Sequence, residues 1–151
     1  MLNYDKIDVQ PFTIYIIFSG KTLHRLTFIK PSIKRADLSN DIAMQLIEYL
    51  SCERKVFEID YVVEGITLFG QRVLNAVKEI PYGQTRSYKW IADLIGNPKS
   101  SRAVGQALNK NPLPIIIPCH RVIKSNGNIG GYLYGENIKI LLLTNEYKGL
   151  K

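Results

Sequence analysis

YKWIADLIGNPKSSRAVGQAL, residues 88–108, reads as two short helices on either side of a tight turn. Trp90, Ile91, Leu94 and Ile95 recur at helical spacing and Gly96 closes the run. Asn97 then has the form of an N-cap, with Pro98 at the first helical position. The helix so opened reads Ser100-Ser101-Arg102-Ala103-Val104-Gly105-Gln106-Ala107-Leu108. Two short helices across a glycine-containing turn suggest a helix-turn-helix, the alternative being an ordinary helical hairpin. Ser100 and Ser101 stand where free backbone N–H groups bind phosphate, and Ala103, Gly105 and Ala107 keep the helix surface low. Physics alone docks such a helix in the major groove, because the minor groove is only about 6 Å wide; the small residues leave the narrower groove open.

Upstream, Leu68, Phe69, Val73, Val77 and Ile80 predict another helix, stopped by Pro81-Tyr82-Gly83. Before residue 65 the pattern changes. Thr13 to Phe18 and Leu23 to Ile29 read as a hairpin about Ser19-Gly20-Lys21. Ser39-Asn40-Asp41 offers an N-cap for a helix bearing Ile42, Leu46, Ile47 and Leu50. Phe57, Ile59, Tyr61 and Val63 alternate in a further strand or extended segment. The chain therefore divides into a small α/β domain over residues 1–65 and a mostly helical domain over 66–151. His24 falls in a strand of the first domain and reads as structural.

Charge follows the same division. The formal net charge is +7, but residues 1–67 hold 8 Lys and Arg against 9 Asp and Glu, whereas residues 68–151 hold 12 against 4. A basic second half without an aromatic amphipathic face fits a polyanion, nucleic acid first, better than a membrane surface. The alternative is excess Lys kept for solubility. With 46% apolar residues in 151, no apolar run near the roughly 20 needed to cross a bilayer, and no signal-peptide pattern, the chain is expected to be a soluble cytoplasmic protein. Two Cys and two His at scattered spacings do not form a zinc pattern, and neither metal nor cofactor is expected.

Pro118-Cys119-His120-Arg121-Val122 places one of the two cysteines directly beside one of the two histidines. A free thiol has a pKa of about 8.5, so a nucleophilic cysteine needs a base. Adjacent residues of an extended segment point to opposite faces. The pair therefore requires a bend at Cys119, which Pro118 suits, or a bridging water. The plain alternative is a buried Cys beside a surface His.

From about Leu68 to Glu146 the chain resembles the O6-alkylguanine-DNA alkyltransferases, or methylated-DNA–protein-cysteine methyltransferases. The resemblance rests on Ile117-Pro118-Cys119-His120-Arg121-Val122, Gly96-Asn97-Pro98-Lys99 leading to Arg102-Ala103-Val104-Gly105, Asn111-Pro112 and Gly130-Gly131-Tyr132. It implies a ribonuclease H-like α/β first domain and a winged helix-turn-helix second domain. It also implies repair of double-stranded DNA by irreversible transfer of an alkyl group from O6-alkylguanine, with O4-alkylthymine as a further substrate, to Cys119. The protein would act as a monomer and once only, since a thioether offers water no leaving group.

Carried over by position, Arg102 would enter the base stack as the damaged nucleotide turns out, a step costing a few kcal/mol. Tyr88 would crowd that nucleotide's phosphate and donate a proton to guanine N3. His120 would take the thiol proton, through water, with Glu146 orienting it. Asn111 would fix the turn before the active-site segment. Ser100, Ser101, Ala103, Gly105, Lys110 and Ser125 would contact DNA. Leu108, Pro114, Val122, Tyr132 and Leu133 would form the pocket, with the Cys119 and Val122 carbonyls reading the exocyclic amine.

Two departures matter. Tyr132-Leu133-Tyr134 lacks the serine many members carry after the pocket tyrosine, which opens the question of tolerance for bulky alkyl groups. Asn109 stands where an arginine is often found, with Lys110 beside it. A non-catalytic reader of alkylated DNA and a Cys-His-Glu thiol hydrolase are the rival classes; Cys119 argues against the first and the basic helix-turn-helix against the second.

Overall fold

The computed structural model describes residues 1–37 and 41–151. It forms two compact units, Met1–Glu64 and Gly65–Lys151.

In the first unit, β1 (Asn3–Val9), β2 (Phe12–Ser19) and β3 (Thr22–Thr27) form an antiparallel sheet in the order 1-2-3. Along β2, Phe12, Ile14, Ile16 and Phe18 are buried in strict alternation, the period-2 signature of a sheet with one covered face. The hairpin expected from sequence is present, but β1 makes it a three-stranded sheet. Asp5, Lys6 and Asp8 interrupt the apolar pattern of that strand, whose two buried residues, Tyr4 and Ile7, lie on opposite faces of the sheet. The return strand ends at Thr27, two residues short of Ile29.

Helix α1 (Ile42–Leu50) packs Ile42, Gln45, Leu46, Tyr49 and Leu50 inward. Ile47, expected on that stripe, is instead 39% exposed, because it lies about 100° round the helix from Leu46, off the arc of Ile42, Leu46, Tyr49 and Leu50. Of the expected N-cap segment, Ser39 and Asn40 lie outside the described residues. Asp41 occupies the cap position without capping; its carboxylate accepts from the Gln45 side-chain amide at 2.8 Å. Residues 56–63 run extended without a ladder. They are held by one parallel bridge between Leu23 and Tyr61 and by Gln45, which exchanges two hydrogen bonds with the Glu58 backbone.

In the second unit, α2 (Leu68–Val77) is capped by the Thr67 hydroxyl, which accepts from Gly70 N at 3.0 Å. The two-residue strand β4 (Arg86–Ser87) leads into α3 (Tyr88–Leu94), capped in the same way by Ser87. Val73, Leu74, Val77, Ile91, Val104 and Leu142 are fully or almost fully buried and make the core of this unit. Leu94, grouped with α3's apolar residues from sequence, is 48% exposed. Gly96 ends α3 with φ +77, the left-handed geometry that glycine adopts without cost.

Helix α4 is Ser101–Leu108, so it opens three residues later than the sequence suggests, and Ser100, not Asn97, is its N-cap. Asn97-Pro98-Lys99-Ser100 closes as a turn, with the Ser100 N–H and hydroxyl both donating to the Asn97 carbonyl. Proline fits the second position of a β-turn as well as the first turn of a helix. β5 (Val122–Ile123) pairs in parallel with β4, which fixes the start of α3 beside the segment carrying Cys119. The long α5 (Glu136–Gly149) ends the fold.

Candidate active site

The approach to Cys119 is clasped by one side chain. Asn111 is buried; its Nδ2 donates to the Ile117 carbonyl at 2.8 Å and its Oδ1 accepts from Leu113 N at 3.0 Å. Within that loop Ile115 has φ +76 and is buried. A β-branched residue there costs on the order of 1–3 kcal/mol, which the clasp and the surrounding packing must outweigh. After Pro118 the backbone makes one 3-10 turn, Cys119–Arg121. A bend at Cys119, which the Cys-His pair is expected to need, is therefore present.

His120 is completely buried, and its Nε2 lies 2.6 Å from Glu146 Oε2. Burial holds the imidazole below its ordinary pKa; Glu146 pulls it up, while Arg121 and Lys139 push it down. Although Glu146 is also buried, hydrogen bonds and charge from His120 and Arg121 hold its carboxyl far below the usual carboxylate range. Arg121 reaches both carboxylate oxygens and donates through Nη1 to the Ile80 carbonyl. Burial raises the Cys119 thiol, opposed by Asn111, Tyr132 and the charge on Lys139. The arrangement is a thiol with an imidazole next to it in sequence, and a carboxylate behind the imidazole.

Cys119 opens onto a narrow pocket lined by Tyr88, Gly105, Leu108, Asn109, Asn111, Pro114, Gly131, Tyr132, Leu133 and Tyr134. Of the pocket residues expected from sequence, Leu108, Pro114, Tyr132 and Leu133 are on its wall. Val122 is not: its carbonyl accepts from Lys139 Nζ at 2.6 Å. Tyr134 is an additional wall, edge-on to Tyr132 with ring centroids 5.9 Å apart. The Tyr88 hydroxyl lies at the pocket and requires a glycine opposite, since a Cβ on Gly130 would stand 2.9 Å from it. Burial, and then the neighbouring Cys119, raise the phenol's pKa.

Lys139 and Arg121 are the site residues that sequence reading missed. Lys139 is 1% exposed and also donates to the Gly131 carbonyl at 3.0 Å, with the Tyr88 hydroxyl at 3.5 Å; burial pushes its pKa down to about 8. A signal existed. Lys139, Leu142 and Glu146 share one face of α5 at i, i+3 and i+7, so the two charges sit on the buried stripe.

The exposed face of α4 frames an open groove lined by Ser101, Arg102, Gly105, Gln106 and Asn109, with Tyr88, Gly131 and Lys124 opposite. Arg102 is exposed and reaches outward. Ala103 and Lys110 line a separate groove with Thr67 and Phe69. Ser100 is half-buried, its hydroxyl committed to Asn97, and Ser125 lies exposed in the turn after β5. Among the described residues no group of three His, Cys, Asp or Glu could hold a metal, and no helix is long and apolar enough to cross a membrane.

Residues 68–148 match the sequence family described as the DNA binding domain of 6-O-methylguanine DNA methyltransferase. The methylated-DNA–protein-cysteine methyltransferase of Methanosarcina barkeri is 42% identical over 99% of this chain and 100% of its own length. That of Methanosarcina acetivorans is 49% identical over 76% of this chain and 72% of its own. The crystal structure of the Mycobacterium tuberculosis O6-methylguanine methyltransferase superposes with a TM-score of 0.89 at 38% identity, covering 98% of this chain and 94% of that one. The mycobacterial protein in complex with DNA gives the same score and identity over 97% and 94%. With the fold matched over nearly its whole length and its second unit matched in sequence, the chain belongs to the O6-methylguanine-DNA methyltransferase family.

Proposed function

We propose that this protein repairs double-stranded DNA by moving the alkyl group of O6-alkylguanine onto Cys119 Sγ, with O4-alkylthymine as a second substrate. The observation that carries the reading is a buried thiol at the floor of a pocket, with His120 and Glu146 behind it and the α4 groove beside it. A guanine inside a stacked duplex cannot reach such a floor, so the nucleotide must turn out of the helix. Arg102, exposed on α4, would fill the gap, and the +8 balance of residues 68–151 would supply the backbone attraction. Ser100, Ser101, Gly105 and Lys124 join it along the phosphates.

The Cys119 proton goes through a bridging water to His120 Nδ1, since Nε2 is committed to Glu146. The resulting imidazolium is stabilised by the carboxylate. Sγ then attacks the alkyl carbon, the bond from that carbon to O6 breaks, and the electrons pass into the guanine ring. Tyr88 donates its hydroxyl proton to N3, giving neutral guanine. The positive charge of Lys139 favours the thiolate of Cys119. The product is a thioether that water cannot cleave, so one protein serves one lesion.

Mixing the protein with excess O6-methylguanine duplex is expected to transfer one methyl group per molecule. Release of more than one would contradict the reading. Turnover of a thioester or ester would favour the hydrolase, and lesion binding without transfer the non-catalytic reader.

A further inference from the structure

We propose that Arg121 is a positioning residue of the relay: by gripping both oxygens of Glu146 it fixes the carboxylate in one orientation and so dictates which nitrogen of His120 faces the thiol. This rests on the reading of Cys119, His120 and Glu146 as a relay. A carboxylate has about four lone-pair sites, and at Glu146 each has a donor. Oε1 accepts from Gly83 N at 3.0 Å and Arg121 Nε at 2.9 Å; Oε2 accepts from Arg121 Nη2 at 2.9 Å and meets His120 Nε2 at 2.6 Å. No site remains for a second orientation. The guanidinium is itself anchored by Nη1 on the Ile80 carbonyl and lies over the Tyr82 ring at 5.7 Å. A planar fork does this and an ammonium cannot, because only the fork spans two oxygens in one plane.

The consequence is specific. An ionised Glu146 accepts only, so Nε2 must carry the imidazole proton and Nδ1 must be the basic atom. Arg121 also shares the charge of Glu146, so the carboxylate draws less strongly on a proton at His120. The titratable and charged groups facing the imidazole are Cys119 and Arg121 from its own turn and Glu146 and Lys139 from α5, with Tyr82 beneath Arg121 in the turn before β4. Removing Arg121 deletes one of the two cations and leaves the anion to His120 and the Gly83 N–H.

With only His24 and His120 in the chain, nitrogen-15 NMR of the DNA-free protein can read the relay directly, His24→Gln supplying the assignment. The wild-type His120 is expected to carry its proton on Nε2; a proton on Nδ1 overturns the proposal and needs no relay variant that might fail to fold. In Arg121→Gln the titration midpoint of His120 is expected to rise by about one pH unit or more, and the acid limb of the single-turnover transfer rate to move with it. Arg121→Lys keeps the charge but not the fork. It is expected to leave the midpoint near wild type while slowing transfer about tenfold or more, so the conservative variant does not rescue. Folded variants with wild-type midpoint, acid limb and rate overturn the proposal. If transfer is absent even in the wild type, the relay reading fails while the NMR result on Arg121 still stands on its own.

Discussion

Replacing Lys139 with methionine isolates the cost of a buried charge at the centre of the site. The ammonium is 1% exposed, and burial pushes its pKa down to about 8 from the ordinary 10.5. Below pH 8 the folded and unfolded chains both carry the proton, and the full cost of burying the charge is present. Between pH 8 and 10.5 the folded chain gives up its proton first, the unfolded chain binds more protons, and stability rises with pH. At about 1.4 kcal/mol per pH unit that interval corresponds to roughly 3 kcal/mol. Methionine is of similar length and carries no such linkage. The variant does lose a donor to the Val122 and Gly131 carbonyls, at a cost of about 1–3 kcal/mol each, but that loss depends little on pH.

The assay is urea unfolding of both proteins at pH 7 and pH 10, followed by the fluorescence of Trp90, the single tryptophan, which reports on the second unit. Comparing the two proteins at each pH cancels the lysines and tyrosines distant from position 139. The wild type is expected to gain about 2–3 kcal/mol on the variant between the two pH values. An unchanged difference would refute the reasoning and place an uncharged amine, or a solvated one, at position 139. At pH 7 the same variant is expected to transfer methyl groups about tenfold more slowly or worse, because the cation beside Cys119 is gone.

Two further substitutions separate DNA handling from architecture. Arg102→Ala is expected to slow single-turnover transfer from a duplex by about 100-fold, the equivalent of the few kcal/mol that an unstacked base requires, and to spare transfer from a single-stranded oligonucleotide; equal losses on both would remove Arg102 from the flipping step. Asn111→Ala strips the Ile117 carbonyl and the Leu113 N–H of their partners and frees the strained loop at Ile115. A loss of about 2–4 kcal/mol in chemical unfolding is expected, and less than about 1 kcal/mol would show that the clasp is dispensable.

Much of this organisation is visible in the amino acids. Thr67, Ser87 and Gly96 bound their helices with caps and a left-handed residue, so α2 and α3 can be read in order. The opening of α4 cannot, because Asn-Pro serves a β-turn and a helix start equally well and only the Ser100 to Asn97 bonds decide between them. β1 escapes for a different reason: charged residues at positions 5, 6 and 8 obscure a strand that buries one residue on each face. Cys119 beside His120 is plain in the sequence, yet the contact to Glu146 spans 26 residues and is closed by a helix. Arg121 and Lys139 were hidden by their chemistry. Charged residues are rarely buried unless paired, and their partners are backbone carbonyls and one carboxylate that pattern alone does not bring together.

The central claim is that Cys119 is the alkyl acceptor, and mass spectrometry tests it most directly. The protein would be incubated with O6-methylguanine duplex, digested, and the peptide containing Pro118-Cys119-His120 sequenced by fragmentation. The expected result is a methyl group replacing the hydrogen of the Cys119 thiol, in proportion to the lesion repaired, with Cys52 unmodified and Cys119→Ser inert. Methylation at Cys52, or repaired DNA with an unmodified Cys119, would contradict the account.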